Sequence, residues 1–156
     1  MATLAGFATV IIDDRESFAN ADRFPEASET MAGDYESVFP MLTVNSSTYI
    51  VIVTRGHRDD MRVLRWAAST QPKYMAMIGS RRKTISVVRE LEKEGIARAA
   101  FDRLHAPMGL DIGAITPEEI AISVVAEMIA VRRRPEAEWT AMSKSIFASE
   151  AKALPK

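Results

Sequence analysis

Cysteine is absent from the 156-residue chain, which excludes disulfides and thiolate metal sites. Histidine is scarce: His57 and His105 are the only two, too few for a histidine-built metal site without carboxylate help. No excess of one charge sign exists. The net charge is −1 and the pI about 6.2, so the basic footprint expected of a nucleic-acid binder is missing. No apolar run is long enough to span a membrane; the longest, IAISVVAEMIAV, is interrupted by Glu127. The opening MATLAGFATV has no basic stretch and no long apolar core, so it does not read as a signal peptide. The expected compartment is the cytoplasm, and the sequon at Asn45 is expected to stay unmodified. Also lacking are a G-x-G-x-x-G turn, a Walker A loop and a nucleophile elbow. No catalytic constellation is legible.

What is present is enough apolar material for one domain with a core. ATVIIDDR reads as a strand stopped by Asp13 and Asp14, and TYIVIVT as a strand buried on both faces. KYMAMIG is a third strand. RFPEASETMAGDYE reads as loop or short helix, and SVFPMLTV as an edge strand because of Pro40. Helices are expected from about Asp59 to Ser69, with Met61, Leu64 and Ala68 on one face, and over RRKTISVVRELEKEG, with an Ile85, Val88 and Leu91 stripe and Gly95 beyond its end. LHAPMGLDIG is a loop with room for a short strand. The last clear helix opens on a capping box, Thr116 with Glu119, and Pro117 at the first helical position. It closes at Arg132, Arg133 and Arg134, before Pro135. Residues 136–156 read as a weakly amphipathic tail with Trp139, Met142 and Ile146.

Alternating strands and helices predict an α/β fold, a parallel sheet covered by helices on both faces. Ligands bind such sheets beyond the carboxyl ends of the strands. The residues expected there are Asp13 and Asp14, then Thr54, Arg55, Gly56 and His57, then Gly79, Ser80, Arg81, Arg82 and Lys83. The last group is odd: three cations occupy the first turn of a helix, the end that already carries partial positive charge. An anion held by the helix start and those cations explains the arrangement, and phosphate is the natural guest. The plainer reading is a solvated helix end, or partners for Asp59, Asp60 or Asp111. Asp13 and Asp14 are either ribose ligands or strand terminators. Ser123 and Glu127, one turn apart, read as a small polar interface patch or, more simply, as an exposed polar face, and His105 as a satisfied structural histidine.

The segments VIIDDRESFANADRFPEA, TYIVIVTRGHRDDMRVL, YMAMIGSRRK and LHAPMGLDIGAITPEEIAISVVAEMI together resemble the C-terminal Rossmann domain of the XdhC/CoxI family, the xanthine dehydrogenase accessory proteins. The resemblance runs from about Thr9 to Arg134, making residues 1–135 the domain and 136–156 a helical tail. It implies an accessory factor without turnover of its own. Such a factor holds the molybdenum cofactor (molybdopterin), protects it during sulfuration and hands it to a molybdenum hydroxylase of the xanthine dehydrogenase or carbon monoxide dehydrogenase class. A cysteine desulfurase is an implied second partner. The matching positions are His57, the Arg81, Arg82 and Lys83 cluster, and the loop with Gly109 and Asp111.

The first Rossmann strand and its glycine-rich turn do not occur in the sequence, which weakens the competing reading, an oxidoreductase domain binding NAD(P). A third reading keeps the fold as an interaction domain without a ligand. With ATVIIDDR as the second strand and TYIVIVT as the fourth, each would show an apolar edge where the first strand belongs. Either the two strands close directly on each other or another chain covers the gap, and a homodimer is the expected remedy.

Overall fold

The computed structural model describes residues 1–133; the 136–156 tail and the close of the last helix beyond Arg133 lie outside the described residues. The chain divides into two units, Met1–Thr43 and Val44 onward.

In the first unit, β1 (Val10–Asp13) runs parallel to β2 (Glu29–Ala32), with Val10 opposite Glu29 and Asp13 opposite Ala32. The four-residue strand β2 corrects the loop-or-helix expectation for this stretch. Pro25 and Gly33 bracket the strand rather than interrupt it, and the ladder to the β-branched β1 outweighs the polar sequence. A second correction follows at once. The segment containing Pro40 is no edge strand: it forms α1 (Tyr35–Val38) and a 3-10 turn, Phe39–Met41. The Asp34 carboxylate caps α1 by accepting from the Glu36 amide. Pro40 sits early in the 3-10 turn, where a missing N–H leaves no bond unmade.

In the second unit, β3 (Tyr49–Ile52), β4 (Tyr74–Met77) and β5 (Leu104–His105) form a parallel sheet in that order. The connections carry α2 (His57–Ala68) and α3 (Arg81–Lys93), and α4 (Pro117–Arg133) follows the sheet. The α/β class and the parallel strands are as expected. On one sheet face Ile50, Ile52, Met75, Met77 and Leu104 pack against Leu64 and Ala67 of α2 and Val87, Val88 and Leu91 of α3. Each of these side chains larger than alanine contributes about 1.5–3 kcal/mol by leaving water. Ile85, expected on the buried stripe of α3, is only partly buried, and Val87 and Thr84 take the inner positions instead. Gly95 follows the C-cap of α3 at φ +96°, the left-handed close expected of it.

The opposite sheet face receives α4. There β3 departs from expectation, because Val51 and Val53 are 37% and 63% exposed. The strand is buried on one face and at the edge of its sheet, and its β-branched run did not distinguish that from full burial. Among the described residues β1 pairs with β2 alone and β3 with β4 alone.

The capping box at the start of α4 forms as the sequence requires. The Thr116 hydroxyl accepts from the Glu119 amide at 3.3 Å, while Glu119 Oε2 accepts from the amides of Thr116 (2.9 Å) and Ile115 (2.7 Å). These backbone bonds, Thr116 first, hold the Glu119 carboxyl below its usual range. Thr116→Ala should cost about 1 kcal/mol in thermal or chaotrope unfolding; Thr116→Ser should cost almost nothing.

Candidate functional site

The carboxyl ends of β3, β4 and β5 open onto three chain reversals, and they come from one sheet. After β3, Thr54 turns its hydroxyl back to donate to Asp60 Oδ1 at 2.6 Å, with the Gly56 carbonyl 3.2 Å away. Gly56 is the N-cap of α2. Arg55 lies 3.9 Å from Asp59, and His57 Nε2 meets Glu90 of α3 at 3.1 Å. The turn therefore ties β3 and α2 to α3.

After β4 comes Gly79 at φ +136°, a conformation that penalises any side chain. Ser80 then caps α3, its hydroxyl accepting from the Lys83 amide at 3.2 Å. The three cations part company here. Lys83 bends inward over Gly79 and forms an ion pair with Asp60, whose carboxylate is fully buried. Arg81 and Arg82 instead line a groove along α3 with Ile85, Ser86, Arg89 and Lys93. Lys83 thus has one of the acidic partners that the sequence offered as the plainer explanation.

After β5 the chain runs through Ala106 and Met108 to Gly109, at φ +103°. The loop is clamped to α4. The Gly109 amide donates to Glu127 Oε2 at 2.7 Å, and the Ser123 hydroxyl donates to the Leu110 carbonyl at 2.6 Å. Asp111 follows and is exposed. Glu127 is a hub: Tyr74 donates to its Oε2 at 2.5 Å, and His105 Nδ1 lies 3.1 Å from its Oε1. Neither Glu127 (0%) nor Ser123 (2%) is exposed, which corrects the expected exposed polar face. The hydrophobic pattern of α4 marks neither residue, because their partners lie on the sheet and the loop. His105 is the satisfied structural residue foreseen, with its ring 4.7 Å from that of Tyr74. Burial, then the Glu127 carboxylate, push the Tyr74 phenol far above its ordinary range.

Asp13 and Asp14 belong to the other unit. Arg15 chelates Asp13: Nε and a terminal nitrogen reach its two oxygens at 2.8 and 3.0 Å, and the Arg15 amide adds a third bond at 3.0 Å. The guanidinium also lies 3.5 Å over the Phe18 ring. Asp14 lines a concavity with Glu16, Asn20, Thr30 and Gly33. Arg15 Nε also lies 3.8 Å from Asp14 Oδ1. The side-chain bonds from Arg15 hold the Asp13 carboxyl below its usual range. Its contribution to stability is complete above the unfolded-state value and is lost as pH falls through the lower folded value. Asp13→Asn should weaken the first unit at neutral pH and flatten its acid limb, followed by circular dichroism against pH.

Sequence reasoning missed Tyr74 and Glu127 as organisers of this edge; it placed Thr54 here and offered Asp60 as a partner for the cations, but did not join the two. Among the described residues no group of three or more histidines and carboxylates is placed to hold a metal ion. No described helix is long and apolar enough to cross a membrane. Chemically, the edge offers the first amides of α3, the Arg55 and Lys83 cations and the clamped loop at Gly109, a set of donors suited to an oxygen-rich ligand.

Comparison with known proteins agrees with this architecture. The chain is 32% identical over 132 residues to the uncharacterized protein YqeB of Escherichia coli (strain K12), covering 84% of this chain and 24% of that protein. It is 27% identical over 134 residues to a probable xanthine dehydrogenase subunit of Bacillus subtilis (strain 168), covering 86% and 38%. A molybdenum cofactor insertion chaperone of Escherichia coli (strain K12), PaoD, is 26% identical over 93 residues, covering 60% and 29%. The crystal structure of a xanthine dehydrogenase from Bacillus halodurans superposes with a TM-score of 0.74 at 28% identity, covering 88% of this chain and 40% of that one. The chain therefore spans well under half the length of these relatives. A family model described as the XdhC Rossmann domain matches residues 1–128, and the chain belongs to that family.

Proposed function

We propose that this chain is the cofactor-handling domain of an accessory protein for a molybdenum hydroxylase, of the xanthine dehydrogenase or carbon monoxide dehydrogenase class. It binds the molybdenum cofactor at the carboxyl edge of β3, β4 and β5, and residues 1–135 act as that domain. The observation that carries the reading is the convergence of residues 54–57, 79–83 and 106–111 at one parallel edge. The relatives supply the cofactor class: one is named a molybdenum cofactor insertion chaperone and another a probable subunit of xanthine dehydrogenase.

The residues present fit the organic part of the cofactor. With no cysteine in the chain, no protein thiolate can take the metal, so the grip falls on the pterin and its phosphate. The phosphate meets the start of α3, from Ser80 to Arg82, with Arg55 beside it. Gly56, His57, Gly79, Gly109 and Asp111 shape the remaining wall.

The test is anaerobic titration of the purified chain with molybdenum cofactor, beside a parallel titration with NAD and NADP. Saturable cofactor binding is expected, weakened about tenfold or more by Arg82→Glu. Binding of the dinucleotides alone would move the site to the oxidoreductase reading. The edges of β1 and β3 that carry no further strand among the described residues support a homodimer in addition, and a single monomeric species in sedimentation would refute that part.

A further inference from the structure

The sequence presents Arg81, Arg82 and Lys83 as one cluster, but the structure separates them. Lys83 alone turns inward. Its side chain crosses Gly79, with Cδ about where a β-carbon on that glycine would make its nearest contact, at 3.2 Å. Its ammonium is fixed by Asp60, which is fully buried and takes the Thr54 hydroxyl on its other oxygen. Yet Lys83 keeps a third of its side chain exposed. An ammonium has three donors. A buried carboxylate therefore holds a partly exposed lysine side chain at the carboxyl edge between β3 and β4, where a parallel sheet receives ligands.

The charge of this pair decides what it receives. Any anion that reaches the ammonium also meets the Asp60 carboxylate close behind it, in surroundings of low polarity. An uncharged acceptor gains the hydrogen bond without that repulsion. We propose that Lys83, positioned by Asp60 and Thr54, donates a hydrogen bond to an uncharged oxygen of the bound ligand, a ring carbonyl, and is not a phosphate ligand. This rests on the reading that the edge binds a ligand, and refines which atoms meet which residue. Asp60 and Thr54 are positioning residues; Lys83 makes the contact.

The experiment uses two probes with the intact chain: a phosphate-free pterin carrying its ring carbonyl, and inorganic pyrophosphate. Asp60→Asn/Lys83→Met removes both charges at once, so the fold should be retained, as thermal unfolding will verify. This double variant should lose pterin affinity by about tenfold. Asp60→Asn alone should gain pyrophosphate affinity several-fold, because the repulsion is gone. Thr54→Val should weaken pterin binding and Thr54→Ser should restore it, a rescue that loss of packing does not predict. The proposal is overturned if the folded double variant binds pterin like the parent, or if that double variant loses more pyrophosphate affinity than pterin affinity. It also falls if the parent binds neither probe. If the parent then still binds intact molybdenum cofactor, the functional reading survives and only the Lys83 assignment is lost.

Discussion

Glu127→Ala should lower stability by about 3 kcal/mol or more, because it strands the Tyr74 hydroxyl and the Gly109 amide in a buried site. A cavity adds to the loss, since no backbone shift can refill the space from both sheet and loop. A fall in Tm on the order of 10 °C follows for a unit of this size. Glu127→Gln keeps an oxygen for two of the three donors and should cost less than half as much. Adding Tyr74→Phe to Glu127→Ala should recover part of the loss, since one stranded donor disappears; the coupling is read from a double-mutant cycle in urea. Hydrogen exchange at residues 106–111 should rise in step. A Glu127→Ala protein as stable as its parent would show that the carboxylate is a passenger and that the loop is held by other means.

Gly109→Ala is the second large effect. The residue sits at φ +103°, which costs an alanine about 1–2 kcal/mol. Its methyl would also fall inside the Ser123 hydroxyl. That hydroxyl cannot swing away without breaking its 2.6 Å bond to the Leu110 carbonyl. The expected total is about 3 kcal/mol. Ser123→Ala in the same chain should relieve the clash and leave the backbone strain, returning roughly half of the loss. Cofactor affinity should fall in Gly109→Ala even below its unfolding midpoint, because the loop that forms one wall of the edge is displaced.

What could be read in the sequence was whatever its physics keeps local. The β-branched runs of β1 and β3 and the apolar run of β4 announced strands. Ser80, Thr116 with Glu119, and Gly95 announced helix ends, because a cap and the groups it satisfies lie within a few residues. The misses have the opposite character. Glu127 meets Tyr74 and His105 across 53 and 22 residues of chain, and no helical period reveals such partners. β2 is a strand because β1 lies beside it, not because of its own four residues. Lys83 looked like one of three equal cations until Asp60, on another helix, distinguished it. Asp13 was nearly legible: its competitor for any ribose, Arg15, is two residues away, but proximity in sequence does not say which of two acids a guanidinium chooses.

The order of the strands has a consequence for how the second unit assembles. β3 pairs with β4 and β4 with β5, so each strand docks on the one synthesised just before it, and loop closure never has to bridge an intervening strand. Each pairing still closes a loop of 25 to 29 residues, the non-local kind of contact that slows a parallel sheet. The exception is the polar hub. Tyr74 and His105 enter the sheet with their acceptor still unmade, and they keep water until α4 arrives with Glu127. Docking of α4 is thus the step that gives Tyr74 and His105 their partner on the second face of the sheet. The loop at Gly109, whose bonds run to Glu127 and Ser123, takes its fixed shape with that same helix.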